Sequence, residues 1–181
     1  MMFKPNTERL LDYWRARRGD APAPRRAQID VADFPALAPQ VFLAEMHAGG
    51  DVRFRLAGEG VAALAGRPLR GESLLSLWAA EHRGRLSRLL GAALASAEPL
   101  VVESLAHIDR PAEGGESGFE WLFAPLAGPH GLHDRFLGLC QPAAMPAGRA
   151  SPMRIVAVNG VADEARRARL RLAALDGRRI A

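Results

Sequence analysis

VFLAEMHAGGDVRFRLAG, residues 41–58, decides the fold of this chain. Residues 41–47 and 51–58 flank the turn Ala48-Gly49-Gly50. In the second arm Val52, Phe54 and Leu56 alternate with Arg53, Arg55 and Ala57. Period-2 alternation marks a strand with one buried face, so the stretch reads as a β-hairpin. Gly58 and Gly60 end it, and the period then changes. Residues 61–65 read as a short helix closed by Gly66-Arg67-Pro68, and residues 73–78 as a further short turn. Residues 79–97 read as the longest helix of the middle. Leu86, Leu89, Leu90, Ala93 and Leu94 fall at helical spacing, Arg83, Arg85 and Arg88 lie mostly on the other face, and Pro99 stops it. Residues 100–109, 118–126 and 135–141 read as three more strands, separated by polar, glycine-containing loops at 109–117 and 128–134. Two strands, a helical stretch and three strands predict an α+β domain. Its five-stranded antiparallel sheet carries helices inserted between strands 2 and 3.

Upstream, residues 6–18 read as an amphipathic helix. Leu10, Leu11 and Trp14 form a narrow apolar stripe among Arg9, Arg15, Arg17 and Arg18, with Asn6 or Thr7 as the cap and Gly19 as the end. Asp20-Ala21-Pro22-Ala23-Pro24 reads as a stiff linker. Residues 29–40, with Asp30, Asp33, Pro35 and Pro39, read as a capped turn leading into the first strand. Phe119, Trp121 and Phe123 alternate with Glu120, Leu122 and Ala124. That strand is apolar on much of both faces and needs cover on both. The N-terminal helix is the expected cover, on its own sheet or on a second subunit.

Downstream, residues 142–152 read as a Pro/Ala/Gly linker and residues 154–158 as a short strand. Residues 163–175 read as a helix with Leu170, Leu172 and Leu175 apolar and Arg166, Arg167, Arg169 and Arg171 basic. The expected division is residues 1–28 (helix and linker), 29–145 (core domain) and 146–181 (basic extension).

The chain has 181 residues, of which 49% are hydrophobic, enough to fill one core. The N-terminus is charged throughout and has no signal-peptide pattern, and no apolar run reaches the roughly 18 residues of a membrane span. A single cysteine, Cys140, excludes an internal disulfide. These features predict a cytoplasmic protein without a membrane partner. Charge is uneven: residues 1–28 hold 7 basic and 3 acidic side chains, residues 29–148 hold 9 and 14, and residues 149–181 hold 8 and 3. Basic ends suit nucleic acid or an acidic partner. Arginine stands in place of lysine almost everywhere and alanine is abundant, a pattern that base composition alone produces, so a nucleic-acid role is the lesser expectation.

Leu10-Leu11-Asp12-Tyr13-Trp14, Pro24-Arg25-Arg26-Ala27-Gln28-Ile29-Asp30, Phe34-Pro35 and Val41-Phe42-Leu43 occur in that order. They are followed by Phe54-Arg55-Leu56-Ala57-Gly58, Leu75-Ser76-Leu77-Trp78 and Glu120-Trp121-Leu122-Phe123-Ala124-Pro125-Leu126. The series resembles a PAS-like family of small stand-alone bacterial proteins, common in alphaproteobacteria, over residues 7–145. The resemblance implies a sensory or protein-interaction module and no reaction. It implies a homodimer, formed through a flanking helix that presents Leu10, Leu11 and Trp14, and a protein signalling partner. It leaves room for a small apolar ligand between sheet and helices, and the expected boundary of such a pocket is Phe54, Trp78 and Trp121, with Arg55 on the opposite face.

No cofactor and no metal are expected. The Gly-x-Asn-Cys-Arg-Phe motif of flavin photosensors is absent, and Cys140 falls in a strand, where a buried structural thiol is the reading. His82 stands where haem-binding PAS domains place an axial ligand, but Glu81, Arg83 and Arg85 surround it. His47 and His107 are isolated, and His130 and His133 share a loop with only Asp134 beside them. Gly58-Glu59-Gly60 lacks the rest of a dinucleotide loop, and no nucleophile elbow is present. Arg167 and Arg171 have a phosphate-gripping spacing without the other half of the PilZ-type motif, and read as a solvated helix face. The protein is therefore expected not to be an enzyme.

Overall fold

A computed structural model describes residues 3–109, 115–143 and 148–160. Its elements in chain order are α1 (Pro5–Arg18), β1 (Val41–Met46), β2 (Val52–Ala57), α2 (Glu59–Ala65), α3 (Ala80–Ser96), β3 (Leu100–Asp109), β4 (Gly115–Ala127), β5 (His133–Pro142), β6 (Arg149–Ala150) and β7 (Arg154–Gly160). Short 3-10 turns fill residues 26–40 between α1 and β1. One sheet runs β2-β1-β5-β4-β3, and every pairing is antiparallel. β6 and β7 both pair with β3 on its outer side. The domain is α+β with helices between the second and third strands, as expected, but the sheet has seven strands rather than five.

The two extra strands come from the segment read as linker and extension. β7 pairs with β3 from Leu100↔Gly160 to Leu105↔Arg154. Met153 and Ile155 join the core at 1% and 8% exposure. The Met153 N–H donates to the Leu77 carbonyl, and the Ala79 N–H donates to the Met153 carbonyl, both at 2.9 Å. β6 and β7, on the far side of the expected division at residue 145, thus pair with a strand of the expected core domain. The physical reason is that β3 would otherwise expose a row of unpaired backbone groups. The expected helix over 163–175, with Arg167 and Arg171, lies outside the described residues.

The sheet separates two cores. On one face α2, α3 and the turn at 74–77 cover Phe42, Phe54, Trp78, Trp121, Phe123 and Phe136. On the other, Leu10, Leu11 and Trp14 of α1 pack with Val41, Leu43, Val101, Leu122, Leu137 and Leu139. Alternating residues of one strand feed the two cores, Trp121 and Phe123 to the first, Leu122 and Ala124 to the second. This is why that strand reads as apolar on both faces. β5 carries Gly138 opposite Phe42. A Cβ there would lie 2.0 Å from the Phe42 ring, so glycine is what lets the ring lie flat across the strand.

α1 begins at Pro5, with Lys4 as the capping residue, rather than at Asn6 or Thr7. Proline presets φ for the first helical position. The Lys4 N–H is taken up by Glu120 Oε1 at 3.0 Å, which pins the start of the helix to β4. Its far end is pinned by Trp14, whose indole N–H donates to the Pro125 carbonyl at 2.7 Å. The Tyr13 hydroxyl donates to Asp33 Oδ2 at 2.8 Å and ties the helix to the turns that precede β1.

Candidate functional site

The interior between the sheet and α3 is an aromatic cluster. Phe42 from β1, Phe54 from β2, Trp121 and Phe123 from β4 and Phe136 from β5 project from one sheet face. Trp78, at the end of the 74–77 turn, closes over them. Trp78 and Trp121 ring centroids are 5.6 Å apart. Phe42 lies 5.6 Å from Phe54, 5.8 Å from Trp121 and 5.7 Å from Phe123. Trp121 stacks on Phe123 at 6.3 Å with planes 10° apart. These are separations at which aromatic pairs attract. The three residues expected to bound a pocket are thus brought into one fully buried cluster. The sequence reading missed Phe42, Phe123 and Phe136 as members, although each sits at an inward position of its strand and could have been counted from the alternation.

One feature of this cluster is unresolved chemically. The indole N–H groups of both Trp78 and Trp121 are buried and meet no acceptor among the described residues. A buried donor without a partner costs about 1–3 kcal/mol, and native proteins leave few of them. Both unpartnered donors are on rings in mutual contact.

Leu10, Leu11 and Trp14 are placed differently from the expected dimer contact. They are 0%, 1% and 2% exposed within the single chain, because the opposite face of its own sheet buries them. Arg55 does lie away from the cluster: it is exposed, and its Nε is 2.9 Å from Glu45 Oε2.

The other titratable candidates are dispersed. Cys140 is buried in β5, and burial pushes its thiol far above the ordinary range, so it is held as an unreactive thiol. His82 is half-buried on α3, His47, His107 and His130 are exposed, and His133 is half-buried at the start of β5. Among the described residues no three His, Cys, Asp or Glu side chains converge as a metal site would require. No helix among them is long and apolar enough to cross a membrane.

A sheet ordered β2-β1-β5-β4-β3, with helices after the hairpin closing over one face, has a counterpart among known families. Residues 2–141 match the family model described as PAS domain. The chain belongs to the PAS domain family. No curated protein matches it. The matched stretch of this PAS domain ends in β5, and β6 and β7 lie beyond it. PAS domains serve sensing and signalling, and that general role follows from membership.

Proposed function

We propose that this PAS domain is a cytoplasmic signalling adaptor that acts by contacting a partner protein and not by catalysis. The observation that carries the reading is the filled interior. The space where a sensor of this architecture would hold a large cofactor is occupied by Phe42, Phe54, Trp78, Trp121 and Phe123 in ring-to-ring contact. A protein whose interior is taken up by its own side chains signals through its surface. Photo-crosslinking residues placed in turn at exposed positions across the domain test this in the native cell. The expected result is one discrete adduct with a second protein, obtained from a contiguous set of positions. Scattered low-yield adducts from every position would refute the reading.

A second reading is favoured by the two unpartnered indole N–H groups. A small, mostly apolar ligand with one acceptor oxygen would satisfy them at the centre of the aromatic cluster. In this reading protein purified under mild conditions shows, by native mass spectrometry, a species heavier than the 19.5 kDa chain. The excess mass disappears on denaturation, and its occupancy falls in Trp78→Phe and in Trp121→Phe, which each remove one donor. Identical native and denatured masses in the wild type would eliminate this second reading.

A further inference from the structure

We infer that the domain carries an arginine-lined groove that docks an acidic, leucine-bearing segment of a partner protein. The inference rests on the reading that the protein acts through a partner. Two open clefts, of about 470 and 280 Å³, adjoin one another. Arg25, Arg26 and Arg135 line the first, beside Pro129 and Gly131. Arg26, Arg55, Arg70 and Arg135 line the second, with Glu45 and Leu56. Arg26 and Arg135 belong to both, so the clefts form one continuous groove.

Five stretches of the chain converge to build it. The Ala127 N–H donates to the Pro24 carbonyl at 2.9 Å, and Arg25 bridges Ala127 in parallel, which sets the 26–28 turn beside the β4–β5 turn. Arg135 lies opposite Glu45 in the β1–β5 register. Leu56 lies opposite Leu43 in the β1–β2 register. The Gly71 N–H donates to the Phe54 carbonyl at 2.7 Å and brings Arg70 to the β2 edge.

The charges in the groove do not balance. Two carboxylates face its arginines. Glu45 is 2.9 Å from Arg55 Nε and 3.4 Å from an Arg135 guanidinium nitrogen, and Asp134 is 3.4 Å from Arg135 Nε. Arg25, Arg26 and Arg70 make no ion pair among the described residues. Guanidinium groups are weakly hydrated and match carboxylates with two parallel hydrogen bonds.

Apolar exposure coincides with this charge. Leu56, Leu132 and Val156 are the exposed large apolar side chains among the described residues. Leu56, 39% exposed, lines the groove, with Leu43 and Pro129 also in its lining; Leu132 is the next residue after the lining Gly131 and lies outside it. Arginine is enriched at protein interfaces, and an exposed leucine among the arginines adds apolar area for a partner to bury. A free anion or a nucleic-acid backbone would use the arginines and leave the leucines idle. The chain's own residues 161–181 hold 6 basic and 3 acidic side chains, the wrong sign to occupy the groove.

Fluorescence anisotropy with the full chain tests the inference. The probe is a fluorescein-labelled peptide of repeated Glu-Glu-Leu. Comparison probes are polyglutamate of equal length, inorganic tripolyphosphate as competitor, and random duplex DNA. The Glu-Glu-Leu peptide is expected to bind more tightly than polyglutamate or DNA. Arg25→Glu with Arg70→Glu is expected to weaken it about tenfold or more, since attraction becomes like-charge repulsion. Leu56→Ser, which changes no charge, is expected to weaken it about two- to fivefold through lost apolar contact. Arg85→Glu with Arg88→Glu, the same charge change on the exposed side of α3, is expected to leave it unchanged. A wild type that does not bind the peptide overturns the inference. So does peptide affinity unchanged in both groove variants, or duplex DNA bound as tightly as the peptide. A crosslinked partner that persists in Arg25→Glu with Arg70→Glu removes the groove while leaving the adaptor reading intact.

Discussion

Ending the chain after residue 148 is expected to lower its thermal midpoint by about 10–20 °C. The truncated protein should also lose near-ultraviolet circular dichroism while retaining most far-ultraviolet signal. Met153 and Ile155 are buried in the core that holds Trp78 and Trp121, and each contributes about 1.5–3 kcal/mol on burial. The β3–β7 ladder is lost with them, as are the two backbone hydrogen bonds that Met153 makes to Leu77 and Ala79. For a domain of this size each kcal/mol shifts the midpoint by about 2–4 °C. A parallel truncation after residue 160 isolates the strand from residues 161–181. If the shorter chain melts together with the longer one, the core is complete by Gln141 and β7 is an accessory.

Leu10→Asp combined with Trp14→Ala is expected to act on folding and not on subunit association. Trp→Ala at a buried site costs about 3–5 kcal/mol. The Pro125 carbonyl, which accepts the Trp14 indole N–H, is left unpaired at about 1–3 kcal/mol more. An aspartate at the fully buried Leu10 adds the cost of an unpaired buried charge. Together these rival the roughly 5–15 kcal/mol stability of a whole domain. The expected result is a large drop in the urea midpoint and binding of a hydrophobic dye, with α1 detached from the sheet. A double variant that keeps its urea midpoint and changes only its sedimentation coefficient would return these residues to a subunit contact.

Most of the strand and helix plan was legible because each element announces itself locally. The alternation of Val52, Phe54 and Leu56 needs no partner to be seen. The helical spacing of Leu86, Leu90 and Ala93 placed the helix observed at Ala80–Ser96. The double alternation through Phe119 to Ala124 implied cover on both faces, and α1 is that cover. Phe54, Trp78 and Trp121 were read as the boundary of an apolar pocket from size and apolarity, which sequence displays directly; the structure places all three in one buried cluster.

What sequence could not display is which surface each element meets. Residues 149–152 read as linker because Gly148, Ser151 and Pro152 punctuate them. The following strand exists as part of the domain because β3 offers an edge to pair with, and an edge is a property of the assembled sheet. The stripe of Leu10, Leu11 and Trp14 requires burial, but an amphipathic helix carries no mark distinguishing its own sheet from another copy. The Pro125 carbonyl and Glu120 carboxylate that fix it are over a hundred residues away. Likewise no local pattern links Arg25, Arg55, Arg70 and Arg135 to one another. Their convergence on one groove depends on strand register and on the Pro24–Ala127 contact. Local periodicity, then, determined the elements and their apolar faces. Long-range pairing alone decided that the short strand read at residues 154–158 joins the sheet, which partner α1 has and what surrounds the arginines, because those depend on which distant backbone and side chains are left to be satisfied once the sheet has closed.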